Sequence, residues 1–185
     1  MLLFLALILA GCASTQIESI AKPDSDLLNY DKILIFCNFD NLKYRIRLES
    51  EIKKQFERNG KTAFKSSEVM PPLREYSEAE YDEIILSKEI ELLVEIKLLN
   101  MYSSSGSTSS FMMPVGGFFL GRGSSEVKLS VDFDIMMYDT RAGEIVLKGT
   151  ASSEDEDDEF EDCIESIFES LAEELVGKYF SASKN

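Results

Sequence analysis

The sequence predicts an α/β sandwich in which a mixed sheet of about five strands carries helices packed on one face. Three observations predict it. A β-rich segment that is apolar on both faces precedes an amphipathic helix, a long segment with period-two alternation precedes a turn and a return segment, and an apolar stripe with helical spacing lies near the end of the chain. The predicted order is β-α-β-α-β-(insert)-β-β-α, and a hairpin beside a β-α unit makes the sheet mixed.

The first β-α unit is a central strand followed by a covering helix. In the segment 32–39 apolar residues lie on both faces of the predicted strand, which is typical of a strand inside a sheet. The segment 42–58 is amphipathic, with Leu48, Ile52 and Phe56 at i, i+4 spacing and charged residues elsewhere. We therefore expect this helix to pack on the strand that precedes it.

The middle of the chain predicts two further strands with a helix between them. Residues 62–65 form a short β-rich segment. Ser77 and Glu80 have the spacing of a capping box, which predicts a helix that continues to about Ser87. The segment 91–102 then alternates apolar and charged residues, as a half-exposed strand does.

A predicted hairpin follows the insert. The segment 126–138 alternates more regularly than any other, and the turn residues 139–143 lead into a return strand at 144–150. The residues expected to face inward are Leu129, Val131, Phe133, Ile135 and Met137. The outward residues are mostly polar, so one face of the sheet is expected to be exposed to solvent.

The acidic run at residues 154–162 has three interpretations. It resembles a cation site or a disordered tail, yet it leads into an apolar stripe with helical spacing, and acidic residues in a first turn complement the helix dipole. The helix-start interpretation is therefore favoured. Asp132 and Asp134 could join residues 154–158 around a hard cation, but the glycine-containing loop of calcium sites is missing, and no metal or other cofactor is predicted.

Composition excludes several classes of function. The 185 residues include 34 acidic and 19 basic residues and no histidine, for a formal charge of −15. Nucleic-acid binding needs a cationic surface and is not expected, and without histidine Ser-His-Asp, Cys-His and the usual zinc sites cannot form. An enzyme is therefore not predicted. Cys37 and Cys163 lie on the apolar sides of their segments, which favours small buried side chains over a disulfide.

The amino terminus carries a targeting signal. An apolar run from Leu2 ends in Leu9-Ala10-Gly11-Cys12, which resembles the lipobox of bacterial lipoproteins at all four positions. The resemblance implies cleavage before Cys12 and a lipid group on its sulfur. We accordingly expect a signal peptide at 1–11, a lipidated tether at 12–30 and one globular domain at 31–182. In enteric-type sorting, Ala13 after the cysteine implies the outer membrane, with the domain facing the periplasm.

The insert at residues 103–125 is a candidate contact site. Its first half is nearly all Ser, Gly and Thr, and its second half is apolar. The residues proposed to bind a partner are Phe111, Met112, Met113, Phe118, Phe119 and Leu120. They could instead cover the protein's own sheet. Contact with a partner or with the lipid surface is the alternative, because sizeable exposed apolar patches mark interaction sites. Membrane-spanning strands need about 9 to 11 alternating residues each. Pro114 and paired glycines interrupt the apolar half, so the insert is not expected to span a membrane.

The segments KILIFCNF, RLESEIKKQFERNGK and VKLSVDFDIMMYDTRAGEIVLKG resemble envelope lipoproteins related to the amino-terminal domain of TolB, a group that includes the curli-secretion channel lipoprotein. The resemblance implies a non-enzymatic role in envelope assembly or maintenance. Two functions follow from it: a lipid-anchored binding or adaptor domain with a protein partner in the envelope, or a subunit of an oligomeric envelope or secretion complex in which the insert makes intersubunit or membrane contacts. The sequence leaves the oligomeric state open.

Overall fold

One mixed sheet organises the chain, of which the computed structural model describes residues 13–22, 26–107 and 125–181. Along the chain the elements are β1 (Ser14–Ala21), a 3-10 helix (Leu27–Asn29), β2 (Lys32–Asn38), α1 (Leu42–Arg58), β3 (Thr62–Lys65), α2 (Ser66–Val69), α3 (Glu78–Lys88), β4 (Leu92–Ser107), β5 (Ser125–Asp139), β6 (Glu144–Asp157) and α4 (Phe160–Phe180). The sheet has six strands in the order β1-β6-β5-β4-β2-β3. β2 pairs in parallel with β3 and β4, and the other pairs are antiparallel. The predicted fold class is confirmed.

The first β-α unit folds as the sequence predicts. α1 begins after Asn41, whose side chain accepts hydrogen bonds from the backbone N–H groups of Lys43 and Tyr44. The residues of β2 and α1 that lie in the main core are Ile33, Ile35, Cys37, Leu48, Ile52 and Phe56. Because successive strand residues face opposite sides, Leu34 points away from this core.

A smaller apolar cluster lies around Leu34. Met70 and Ile90 are buried with it, and Ile84 and Ile85 of α3 pack against the cluster. Thus α1 and α4 cover one face of the sheet, as predicted, while α3 covers a smaller part of the opposite face.

The main core joins β5 to α4. All five residues of β5 predicted to face inward are buried. Phe133 of β5 and Phe168 of α4 have ring centroids 6.5 Å apart, and Phe39 lies 6.3 Å from the first and 6.2 Å from the second. The face assigned to these segments from periodicity is therefore confirmed.

The predicted tether is wrong for residues 14–21, which form β1. This strand pairs with β6 over its whole length, from Ser14 opposite Glu154 to Ala21 opposite Leu147. Its inward positions are mostly small or hydroxyl-bearing, and Ile17 is its buried apolar side chain. The strand therefore lacks the alternation of large apolar residues by which strands are recognised. It lies within the segment predicted as a tether, and it is the strand that the prediction of about five strands did not include.

The helix predicted to start in the acidic run 154–162 does start there, but only near the end of the run. β6 continues to Asp157, so residues 154–157 are strand, and α4 begins at Phe160. Pairing with β5 extends to Val127 opposite Asp157, which gives the backbone of the acidic residues hydrogen-bond partners. Ser153 and Asp155 face inward and are buried, and the acidic side chains of the first turn of α4 are Glu161 and Asp162.

The insert is shorter than predicted. Residues 103–107 continue β4 and residue 125 opens β5, with Ser107 opposite Ser125. Because residues 103–107 are small and polar, the sequence predicts a loop there, but pairing with β5 extends the strand. The remaining residues, 108–124, lie outside the described residues.

Both cysteines of the globular domain are buried and free. Burial raises the pKa of the Cys37 thiol well above its usual range. The interpretation of Cys37 and Cys163 as small apolar side chains is confirmed.

Candidate functional site

The sequence-predicted site residues fall outside the described part of the chain. Cys12, predicted to carry the lipid, immediately precedes the first described residue, Ala13. The partner-binding residues Phe111, Met112, Met113, Phe118, Phe119 and Leu120 belong to the segment 108–124. The structure therefore bears on the site through its two flanks, the chain that leaves Cys12 and the strands that lead to the insert.

Ala13 is bound to α4 through both of its backbone groups. Its N–H donates a hydrogen bond to Oγ of Ser166 at 3.3 Å, and the hydroxyl of Ser170 donates one to its carbonyl oxygen at 3.2 Å. The two serines are one helical turn apart and lie on the same side of α4. The residue that follows the predicted lipid-bearing cysteine is therefore part of the folded domain.

Hydroxyl groups continue this attachment into β1. Oγ1 of Thr15 lies 2.8 Å from Oγ of Ser153 in β6 and 2.8 Å from Oγ of Ser170 in α4. Since each hydroxyl both donates and accepts, the three groups satisfy one another in a partly buried setting. Sequence reasoning missed these residues because a hydroxyl pair at i, i+4 beside an apolar stripe is a weak signal.

The far end of β1 is held by the last turns of α4. Lys178 donates a hydrogen bond from Nζ to the carbonyl oxygen of Ile17 at 2.6 Å, and the hydroxyls of Ser19 and Tyr179 form a hydrogen bond. Ile17 is only 7% exposed. β1 is therefore fixed along its length by backbone pairing on one side and by α4 above it.

Gly149 allows β1 to approach β6 closely. A Cβ atom at this position would lie 2.5 Å from the carbonyl oxygen of Glu18 and 2.8 Å from Cβ of Ser19. Both distances are shorter than real contacts, and the first involves backbone, so any side chain at position 149 would force β1 or β6 to shift. The glycine thus has a packing role in attaching the amino-terminal strand.

The strand register places the two flanks at the same end of the sheet. Ser14 lies opposite Glu154, Glu154 opposite Ser130, and Ser130 opposite Tyr102, so the four residues form one row across the sheet. We call the part of the sheet beyond this row the anchor end. It contains the ends of β4 and β6, the start of β5 and, on the helical side, the start of α4.

The anchor end is strongly acidic. Glu154 and Glu156 of β6 are exposed, as are Asp158 and Glu159 in the link to α4. Lys128 of β5 partly offsets them and lies 3.6 Å from Glu154. In the ranges that the structure describes, no group of His, Cys, Asp or Glu side chains is arranged to hold a metal ion.

An open pocket of about 330 Å³ lies on the helical side, between the end of β2, the start of α1 and α4. Phe39, Tyr44, Leu98, Met101 and Phe168 give it an apolar lining, and amide and charged groups of the β2–α1 turn lie around it. Such a lining can hold a small apolar group.

Glu49 of α1 is a fully buried carboxylate that forms hydrogen bonds to several neighbouring elements. Its Oε1 accepts hydrogen bonds from the backbone N–H of Cys37, from Nε of Arg45 and from the hydroxyl of Ser66. Its Oε2 accepts one from the backbone N–H of Ser67. The carboxylate is fully satisfied and ties β2 and α1 to the start of α2, which is a structural role.

Comparison with solved structures identifies similar folds. The PelC dodecamer from Paraburkholderia phytofirmans superposes with a TM-score of 0.54 at 10% identity, covering 91% of this chain and 99% of the PelC chain. The chain is similar in fold to PelC. Lipoprotein GNA1162 from Neisseria meningitidis gives a TM-score of 0.46 at 12% identity, over 80% of this chain and 96% of that one. At such identities the likeness to PelC establishes the fold alone, and the proposed relation to TolB and the curli lipoprotein stays a prediction.

No family model and no curated protein matches the sequence. Among the described residues, no helix is both long and apolar enough to cross a membrane.

Proposed function

We propose that this protein is a lipid-anchored, non-enzymatic lipoprotein of the cell envelope that acts as a binding or adaptor domain in envelope assembly or maintenance. The observation that carries the proposal is the attachment of Ala13 to Ser166 and Ser170, because it joins the folded domain directly to the predicted lipid-bearing Cys12. Ala13 itself favours the outer membrane, with the domain facing the periplasm. The absence of histidine from the sequence supports a binding role over an enzymatic one.

This attachment changes what the anchor does. A free tether of residues 13–29 would let the domain move up to about 55 Å from the membrane, at about 3.3 Å per residue. With β1 in the sheet, the proposed lipid anchor on Cys12 would hold the domain close to the membrane surface. Such an arrangement suits a protein that presents one surface to a partner in the same membrane.

Metabolic labelling with a fatty-acid analogue tests the anchor. Cys12→Ser is expected to abolish the label and to leave an uncleaved precursor. Cys163→Ser is the matched control, because Cys163 is buried in the domain, and it is expected to label as the wild type does. Equal labelling of the Cys12 variant and the wild type would show that the anchor assignment is wrong.

A subunit of an oligomeric envelope complex is the second candidate. The similarity to a dodecameric protein over 91% of this chain supports it. Light scattering on the acylated protein in detergent is expected to give a defined multiple of the 20.9 kDa chain, corrected for the removed signal peptide. A monomer at all concentrations would remove this candidate and leave the adaptor role.

The apolar part of the insert is proposed as the partner-binding element, with Phe118, Phe119 and Leu120 as its contacts. Since Ser107 and Ser125 are opposite each other, residues 108–124 can be replaced by Asn-Gly, which favours a two-residue hairpin turn. The variant is expected to melt within a few degrees of the wild type and to lose crosslinked envelope partners. Loss of cooperative unfolding would instead mean that the insert belongs to the core, and unchanged crosslinking would exclude its role in binding.

A further inference from the structure

β4 is paired on one side only over its second half. Its pairing with β2 ends at Lys97, opposite Asn38, while its pairing with β5 continues to the end of the strand. Pairing with β5 aside, no described residue forms a hydrogen bond to the backbone of residues 98–104. This segment, which we call the β4 edge, therefore presents N–H and C=O groups that another extended chain can bind.

The other edges of the sheet are short or bound by side chains. Side chains of α4 bind the backbone of β1 at Ala13 and Ile17. Just past the last β2–β3 pair, Glu49 accepts a hydrogen bond from the N–H of Cys37, and β3 itself has only four residues. Charges and proline are further means by which proteins protect their edge strands. The β4 edge has the sequence LLNMYSS, which contains neither.

A bulge turns two side chains of the β4 edge towards the pocket on the helical side. The register shifts between Leu98 and Asn100, so that Leu98 lies opposite Phe133 and Met101 lies opposite Val131. Both of these β5 residues belong to the main core, and therefore Leu98 and Met101 both face the helices. The two side chains are half-buried, and they line the pocket together with Phe39, Tyr44 and Phe168.

The β4 edge and the pocket are adjacent, because Leu98 and Met101 belong to both. The pocket volume of about 330 Å³ is near the lower limit of small-molecule sites, which range from about 300 to 1,000 Å³. A single aliphatic or aromatic side chain suits this size. A chain that paired with β4 would place alternate side chains on the helical side, above the pocket. The formal charge of −15 favours a chain that is uncharged or basic.

We infer that the β4 edge binds an extended, uncharged or basic segment of a protein partner, which adds a strand beside residues 98–104 and places one apolar side chain in the pocket. In this mode of recognition the backbone hydrogen bonds give affinity and the side-chain pockets give specificity. The inference rests on the proposed binding role, for which it names a class of partner. It depends neither on the lipid anchor nor on residues 108–124.

Synthetic peptides test the inference on the full-length acylated protein in phosphatidylcholine nanodiscs. The probes are fluorescent nine-residue peptides in which a central residue X is flanked by threonines and each end carries a lysine, with X as Ala, Asp, Leu or Phe. Affinity is measured by fluorescence anisotropy. The Leu and Phe peptides are expected to bind at least about tenfold more tightly than the Ala and Asp peptides, because only they fill the apolar pocket. Equal affinity for all four, or no binding, would overturn the inference.

Methylation of the peptide backbone distinguishes strand addition from insertion of the side chain alone. Adjacent N–H groups of an added strand point to opposite sides, so only every second one faces β4. The Leu peptide methylated at the nitrogen of X and the one methylated at the next nitrogen are therefore expected to differ at least about tenfold in affinity. Equal affinities would show that no strand is added.

A change in the pocket tests where the central side chain lies. Met101→Ala enlarges the pocket and is expected to shift the preference from the Leu peptide to the Phe peptide. Tyr102→Ala is the matched control, because Tyr102 is 62% exposed on the opposite face of the same strand, and it should keep the wild-type preference. The same preference in both variants would contradict the assignment of the pocket. Leu98→Ala replaces Met101→Ala if that variant does not unfold cooperatively.

Two other occupants of the β4 edge would each overturn the inference. Peptide binding only after residues 108–124 are replaced by Asn-Gly would assign the edge to the chain's own segment. A fall in the light-scattering mass when peptide binds would assign it to a second copy of the chain. Failure of the protein to enter nanodiscs would refute the lipid anchor alone, and the peptides would then be titrated into the free protein. Crosslinking of envelope partners tests the binding role separately.

Discussion

At the scale of single residues, the attachment of the amino terminus depends on hydroxyl groups. Thr15, Ser153 and Ser170 share hydrogen bonds within 2.8 Å, and Ser166 and Ser170 bind the backbone of Ala13. Each bond contributes about 0.5 to 1.5 kcal/mol, because folding exchanges it for a bond to water. Together they tie the chain that follows Cys12 to α4 and β6, in addition to the backbone pairing of β1.

Replacing both helix serines, Ser166→Ala and Ser170→Ala, is expected to release the start of β1. The loss should cost about 1 kcal/mol per hydroxyl, and amide hydrogen exchange at residues 13–17 should accelerate while the core keeps its protection. Glu169→Ala, at an exposed position of the same helix, is the control and is expected to leave exchange unchanged. Unaltered exchange in the double variant would show that backbone pairing alone holds β1.

Tyr30 makes a second polar contact whose pH dependence can be predicted. Its hydroxyl donates a hydrogen bond to Oδ2 of Asp139 at 2.8 Å, and burial together with this carboxylate raises the pKa of Tyr30 to about 12. Burial alone would raise the pKa of Asp139, but hydrogen bonds from the backbone of Ala142, from Tyr30 and from the backbone of Arg141 outweigh it and hold this pKa below its ordinary value. The pair therefore favours a neutral phenol and an ionised carboxylate.

Tyr30→Phe is expected to remove a contribution that depends on alkaline pH. Because the pKa of the folded state lies above the ordinary value of 10.0, the stabilisation is complete below pH 10 and is lost as pH rises towards 12. The difference in unfolding free energy between the wild type and Tyr30→Phe should shrink across this range in urea titrations. Tyr102→Phe, at a residue that is 62% exposed, should follow the wild type throughout. A difference that stays constant with pH would contradict the assignment.

At the scale of elements, β1 depends on backbone approach more than on side-chain burial. Ile17 supplies most of its apolar contact, and the rest of its inward positions are hydroxyl-bearing or small. Full burial of an isoleucine contributes about 1.5 to 3 kcal/mol, less than ordering eight residues costs. Pairing with β6 and the contacts to α4 must supply the remainder, so a change that separates the backbones should have a large effect.

Gly149→Ala provides that change. Its methyl group would overlap the backbone of Glu18 and Cβ of Ser19, so we expect β1 to lose protection from hydrogen exchange and the melting temperature to fall by several degrees. Gly177→Ala in α4 is the matched control, because a Cβ there meets no atom within 4 Å. Since alanine is the better helix former, this control should gain about 0.5 to 1 kcal/mol. Wild-type protection of β1 in the Gly149 variant would show that β6 moves instead.

At the scale of the whole molecule, one core joins the sheet to the two long helices. Phe133 and Phe168 are both buried and within 6.5 Å of each other, and Tyr44 and Phe39 pack against Phe168. The acidic charge is unevenly placed, since the anchor end carries the run at 154–159. The molecule thus combines a stable core with one end that the register places at the predicted membrane anchor.

Phe133→Ala and Phe168→Ala are expected to destabilise the whole domain. A large-to-small change at a buried aromatic position costs about 3 to 5 kcal/mol, a large part of the 5 to 15 kcal/mol typical of a domain. Chemical denaturation should show lower midpoints in both variants with a single transition. Leu99→Ala, at a 47% exposed position of β4, should change the midpoint little. Two separate transitions would show that the main core is not one cooperative unit.

The residues that the sequence determined by itself are those whose large apolar side chains repeat with a fixed period. Leu48, Ile52 and Phe56 define the buried side of α1, and the alternation in 129–137 defines the inward face of β5. These assignments hold because burial of large side chains requires the same periodicity that the helix and strand backbones impose. The fold class followed from these segments.

Only the tertiary structure shows the edge strand β1 and the extended ends of β4 and β6. β1, the acidic extension of β6 and the extension of β4 to Ser107 are held by backbone pairing, and β1 also by hydroxyl bonds such as those from Thr15 to Ser153 and Ser170. The partners in these contacts are remote in sequence, and backbone groups look alike whichever side chain they carry. Such contacts leave no local pattern, so only the assembled sheet shows that the chain next to Cys12 is a strand and not a tether.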